Sequence, residues 1–164
     1  DEIWSNAVEK IVKFIQNGES VVLLCLGDTS IFASSSNILR IIKHNYPEII
    51  TKTIPGISSL SATAALNDFD LVKKGETLII KECPSSNSEL TSLIKESREN
   101  RTVLAIMKIG KRWNLVRETL KKEDIINKSL IALNVGTPDQ IIQYASQYNK
   151  DVMPYFSLIL IRFD

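Results

Sequence analysis

Apolar positions along the chain recur with two different periods. Ile3, Trp4, Ala7, Ile11, Phe14 and Ile15 follow helical spacing and predict a helix that Asn17-Gly18 stops. Ser20-Val21-Val22-Leu23-Leu24-Cys25-Leu26 follows, apolar and β-branched at successive positions. A run of that kind, apolar towards both faces, is the mark of a strand buried in a parallel sheet. It ends abruptly at Gly27-Asp28-Thr29-Ser30. Ile38, Leu39, Ile41 and Ile42 mark the inner side of a helix over 31–44, which Pro47 closes. Thr51 to Ile54 predicts a short strand ending at Pro55-Gly56, and 58–66 a helix of small residues with Ser58 or Ser59 near its N-terminus.

The stretch from Asn67 to Gly75 is polar and charged, and predicts a linker between two lobes, 1–72 and 73–164. Beyond it the rhythm restarts. Strands are predicted over 76–81, 102–107 and 129–135, with a weaker one over 141–144 and a last one over 155–163. Helices are predicted over 88–99 and 111–122. The first lobe alternates strand and helix, as parallel α/β layers do. The second has more strands than helices, which suits a mixed sheet. The fold class is α/β, with a partial parallel sheet in the N-terminal lobe and a mixed sheet in the C-terminal lobe.

Composition narrows the functions open to such a chain. Of its 164 residues 44% are hydrophobic, enough for a real core. Twenty Lys and Arg against nineteen Asp and Glu leave a net charge of +1, which argues against an electrostatic nucleic-acid binder. No apolar run approaches the roughly 20 residues of a membrane span. Cys25 and Cys83 lie far apart, and the expectation is two reduced thiols in a cytoplasmic protein. The single histidine, His44, sits at a polar helix end, so no multi-histidine metal site is expected.

In open α/β sheets ligands bind beyond the carboxyl ends of strands. Four predicted strand ends carry small or polar residues: Gly27-Asp28, Pro55-Gly56-Ile57-Ser58-Ser59, Lys108-Ile109-Gly110 after Met107, and Gly136-Thr137-Pro138-Asp139-Gln140 after Val135. Each alone is an ordinary turn sequence. Together they suit a cleft for a medium-sized polar ligand between the lobes. The chain has no Walker A sequence, no GxGxxG and no GxSxG.

In this order, those segments resemble the tetrapyrrole (corrin/porphyrin) methylase family. Val22 to Phe32 is similar to its strand and Gly-Asp-Pro-x-aromatic loop, with Thr29 in place of the proline. Ile54 to Ala62 is similar to its Pro-Gly-[Ile/Val]-[Ser/Thr]-[Ser/Ala] segment, Thr102 to Gly110 to its methionine-bearing strand, and Asn134 to Gln140 to its Gly-x-Pro-x-Gln turn. Gly56 to Ala62, Met107 to Gly110, Gly136 to Gln140 and Pro154 to Leu158 resemble most the members that methylate C20 of precorrin-2 or cobalt-precorrin-2.

The resemblance implies a two-lobed fold, S-adenosylmethionine as methyl donor, a precorrin-2 or cobalt-precorrin-2 substrate, and a homodimer. It carries over Leu26, Gly27, Asp28, Ser58, Ser59, Met107, Gly136 and Ser157 as donor-binding positions, converging on one donor, with no catalytic residue assigned. The family begins with a strand and a Gly-x-Gly-Pro-Gly loop that this sequence lacks, so a further N-terminal segment is expected in the full protein. Two alternatives stand beside this reading: a diphthine or ribosomal RNA methyltransferase on the same fold, or a non-catalytic fragment that only binds ligand or dimerises.

Overall fold

A computed structural model describes residues 2–163. Its contacts divide the chain into two units, Asp1–Ser58 and Ser59–Asp164.

The first unit is built on two helices, α1 (Glu2–Gln16) and α2 (Ser35–Asn45). Val8 and Val12 of α1 and Ile38 and Ile42 of α2 form its buried centre, at the helical spacing read from the sequence. Trp4, Ala7, Ile11, Ile41, Tyr46 and Ile49 pack around them. Lys43 and His44 occupy the last turn of α2, where the charge of Lys43 complements the helix dipole.

The two parallel strands predicted in this unit, 20–26 and 51–54, are a correction. Neither segment is part of a β-ladder. Their side chains stay out of the core: Val22 is 79%, Leu24 89% and Ile54 75% exposed. Apolar composition favours burial, but a strand exists only through the N–H and C=O groups of a neighbour. Among the described residues neither segment has such a neighbour.

The second unit holds a five-stranded sheet of β1 (Thr77–Glu82), β2 (Thr102–Met107), β3 (Ser129–Leu133), β4 (Ile141–Tyr144) and β5 (Ser157–Ile161). Their spatial order is β1-β2-β5-β3-β4. β1 and β2 run parallel, and the other three pairings are antiparallel, the mixed sheet that the sequence predicts. β2, β3 and β5 lie in the middle and are buried almost throughout, which is why their sequences are continuous apolar runs.

Three helices belong to this unit, α3 (Ser59–Leu66), α4 (Asn87–Glu99) and α5 (Trp113–Lys122). The start of α4 is set by Ser86, whose side chain accepts from the Glu89 amide at 3.3 Å. Leu90 and Ile94 of α4 and Trp113, Val116 and Leu120 of α5 pack with Leu104, Ile106, Ile131, Leu133, Ile159 and Ile161 of the sheet. The stretch read as a linker is tied to the end of β5: Arg162 donates to the Asp70 carbonyl at 2.6 Å and pairs with Glu76, which also accepts from the Lys73 amide. The last strand is shorter than predicted, because residues 155–156 turn away before the ladder begins at Ser157.

Candidate functional site

In the first unit the strand ends singled out Gly27, Asp28 and Ser58, and the family resemblance added Leu26. Asp28 Oδ1 accepts both the Ser30 amide, at 2.7 Å, and the Ser30 hydroxyl, at 2.6 Å. This is the Asx-type closure that short carboxylate side chains make in turns. The two bonds favour the ionised carboxylate, so Asp28 titrates below the ordinary aspartate range, the Ser30 hydroxyl contributing most. Oδ2 takes no hydrogen bond among the described residues. Thr29, which stands in place of the family's proline, lies between the two residues whose hydrogen bonds close this turn.

Gly27 and Gly56, 29 positions apart in the sequence, come into contact through their backbones. A Cβ on Gly56 would collide with the Gly27 carbonyl oxygen and stand 3.1 Å from its carbon. The Gly27-Asp28 turn and the Pro55-Gly56 turn are therefore pressed together, and only glycine fits at 56. Ser58, two residues on, is buried, while Leu26 is exposed.

In the second unit Met107, Gly136 and Ser157 gather at one end of the sheet. Met107 ends β2 and is paired with Leu158, while Leu133 ends β3 and is paired with Ser157. The ends of β2 and β3 thus flank the start of β5. Two turns leave from them in left-handed conformations, at Lys108 (φ 57°) and at Asn134 (φ 48°) with Gly136 (φ 84°). A φ of that sign is costly for most side chains, and asparagine and glycine tolerate it best. The Lys108 amide donates to the Ser157 carbonyl at 3.0 Å, and the Asn134 amide to the Phe156 carbonyl at 2.9 Å. Gln140 Oε1 accepts the Gly136 amide at 2.9 Å, and the Thr137 hydroxyl donates to the Asn134 carbonyl at 2.9 Å. Tyr155 and Phe156 stand exposed beside these turns, edge to face at 5.3 Å between ring centres. The Lys108 ammonium lies 3.8 Å from the Glu82 carboxylate at the end of β1.

Ser59 opens α3, where its carbonyl accepts the Thr63 hydroxyl at 2.7 Å. Cys83 follows β1; its amide donates to the Met107 carbonyl at 2.8 Å, and burial pushes its thiol up from the usual range. Sequence reading named Ser30 and Gln140 within their turns without giving either a role, and it missed the contact of Gly56 with Gly27. The Asp-x-Ser spacing was a signal for Ser30; nothing local pointed to the contact across Gly56.

The Asp28 turn makes a direct prediction. In Ser30→Ala the carboxylate loses the donor that contributes most to its lowered pKa, and Asp28 titrates closer to the ordinary aspartate value. Because the folded-state pKa is depressed, the stabilisation from this turn is full above the unfolded-state value and fades as pH falls through the folded one. Side-chain carboxyl NMR titration of both proteins checks it; identical Asp28 curves would refute it.

The model of the Tetrapyrrole (Corrin/Porphyrin) Methylases matches residues 1–146. The chain belongs to the tetrapyrrole methylase family. The match takes in the Gly27-Asp28, Pro55-Gly56, Met107–Gly110 and Gly136 turns alike. The cobalamin biosynthesis protein CobIJ of Mycobacterium bovis is 23% identical over 161 residues, spanning 98% of this chain and 30% of that protein. The cobalt-precorrin-2 C(20)-methyltransferase of Salmonella typhimurium is 23% identical over 163 residues, spanning 98% of this chain and 66% of that one. The chain is thus shorter than both of these relatives. The X-ray structure of the cobalt precorrin-4 methyltransferase CbiF superposes with a TM-score of 0.73 at 14% identity, over 96% of this chain and 70% of that one. At that identity the likeness speaks for the fold, and the fold class read from the sequence agrees with it. No helix among the described residues is long and apolar enough to cross a membrane.

Proposed function

We propose that this chain is the donor-binding part of a methyltransferase that uses S-adenosylmethionine to methylate a tetrapyrrole in cobalamin biosynthesis. The observation that carries the reading is the family match, because it spans all four turn segments in their order along the chain. The finer reading is methylation at C20 of precorrin-2 or cobalt-precorrin-2 by a homodimer. It is supported by the resemblance of Gly56 to Ala62, Met107 to Gly110 and Gly136 to Gln140 to that group of enzymes, and by a relative that carries that name.

The residues present suit such a donor. An adenosyl sulfonium offers ribose hydroxyls and an ammonium as donors, and Asp28 presents an ionised carboxylate whose Oδ1 is committed to Ser30, leaving Oδ2 to accept. We assign donor binding to Leu26, Gly27, Asp28, Ser58, Ser59, Met107 and Gly136, with Ser157 beside them, Asp28 as the polar anchor and the half-buried Met107 as a soft apolar wall. When bound, the sulfonium supplies an electrophilic methyl, whose S–C bond breaks in line as the bond to a nucleophilic carbon forms. The work left to the chain is chiefly to hold the reacting atoms within about 3–3.5 Å, where effective molarity supplies much of the rate. A carbon of an electron-rich tetrapyrrole asks for no strong general base, in keeping with a chain that has one histidine.

Incubation of the full-length protein with methyl-labelled donor and either precorrin-2 or cobalt-precorrin-2 tests both levels of the reading. Label at C20 supports the finer one. Label elsewhere on the macrocycle keeps the coarser one alone, and no label on either substrate removes the finer one. Asp28→Ala is expected to weaken S-adenosylhomocysteine binding about tenfold, the loss that goes with one charged hydrogen bond. Unchanged affinity by calorimetry would take Asp28 out of the site.

A further inference from the structure

We infer that Ser157 is a positioning residue, a clamp that sets the turn after β2 through its hydroxyl, and does not act by touching the donor. The inference rests on the functional reading above and adds a role to it. Ser157 opens β5, between the ends of β2 and β3, and is only 6% exposed. Its side chain has little surface to offer a ligand. Its hydroxyl oxygen accepts the Gly110 amide at 3.0 Å, across 47 residues of sequence. Its carbonyl accepts the Lys108 amide at 3.0 Å.

One residue thus holds two of the three amides, Lys108 to Gly110, of the turn that leads from Met107 into the short 3-10 helix Gly110–Arg112. That turn carries two left-handed residues, Lys108 (φ 57°) and Gly110 (φ 46°). A lysine in that region is unfavourable unless its surroundings hold it there. The preceding carbonyl of Phe156 holds Asn134 in the same way on the other side. The start of β5 therefore ties down both turns at this end of the sheet. The backbone bonds survive any substitution, and the bond to Gly110 alone depends on a side chain. Removing the Ser157 hydroxyl frees the Met107–Gly110 turn while the ladder on either side stays in place.

The test compares Ser157→Ala with Ser129→Ala in the full-length protein. Ser129 is also a buried hydroxyl at the end of a central strand, donating to the Ile125 carbonyl at 2.8 Å, but it opens β3 at the opposite end of the sheet from Ser157. It controls for loss of stability alone. Amide exchange at Gly110 should quicken about tenfold in Ser157→Ala and stay at the wild-type rate in Ser129→Ala once each is corrected for global stability. S-adenosylhomocysteine affinity should fall about tenfold in the first variant only. Ser157→Cys, of similar size with a weaker acceptor, should lie between wild type and Ser157→Ala in both measurements, and serves if the alanine variant is poorly folded.

Unchanged Gly110 exchange in Ser157→Ala overturns the clamp. Equal loss of affinity in both serine-to-alanine variants overturns the positioning role. If the wild-type protein does not bind S-adenosylhomocysteine, the functional reading falls and the positioning role with it, while the exchange comparison still decides the clamp.

Discussion

Gly56→Ala is expected to disrupt the paired turns of the first unit, although the substitution adds a single methyl group. The new Cβ would meet the Gly27 carbonyl oxygen and lie 3.1 Å from the Gly27 carbonyl carbon, both backbone atoms that no rotamer change can move aside. One of the two turns has to shift. Overpacking of this kind costs about 1–3 kcal/mol. Donor affinity is expected to drop by about ten- to a hundredfold as Asp28 moves with its turn. Gly136→Ala is the informative contrast. A Cβ there meets nothing within 4 Å, and the difficulty lies in the positive φ alone. Asparagine tolerates that conformation, so Gly136→Asn should recover most of the loss. Gly56→Asn should be at least as damaging as Gly56→Ala. Calorimetric titration of the four variants with S-adenosylhomocysteine separates the two causes, and wild-type affinity in Gly56→Ala would refute the close-approach account.

The largest loss of stability is expected from Trp113→Ala. Trp113 is fully buried, stacks edge to face on Tyr148 at 5.7 Å, and donates its indole N–H to the Lys150 carbonyl at 3.0 Å. It lies at the start of α5, where the helix packs with Leu104, Ile106 and Ile159 of the sheet. Truncation removes the ring, leaves a cavity and orphans a carbonyl, a combination worth about 3–5 kcal/mol. Trp113→Phe keeps most of the packing and loses the hydrogen bond, so it should cost about 1–2 kcal/mol. Urea unfolding followed by far-ultraviolet circular dichroism gives both values. A Trp113→Ala midpoint close to that of Trp113→Phe would mean that the core closes over the gap.

The residues that carry these two expectations differ in how far the sequence revealed them. Trp113 opens a stretch of helical periodicity and could be placed in a core from its neighbours at 116 and 120. Gly56 was legible as the glycine of a Pro-Gly turn, but its need to be glycine was not, because the carbonyl it faces belongs to residue 27. The same holds for Ser157. Its place in an apolar strand was readable, and its bond to an amide 47 residues away was not.

Local alternation of apolar and polar side chains by itself determined the helices α1, α2, α4 and α5, the buried central strands and the mixed character of the sheet in the second unit. Those features depend on each residue's own preference for burial at a fixed spacing. The order of turn motifs likewise determined the family, since a motif is read without knowing its neighbours in space. Tertiary structure alone decided which extended segments became strands. Residues 20–26 are as apolar as β2, yet only β2 has partners on both sides. It alone also decided which turns meet and which side chains hold them, because a hydrogen bond between distant residues is set by strand register, and register belongs to the sheet as a whole.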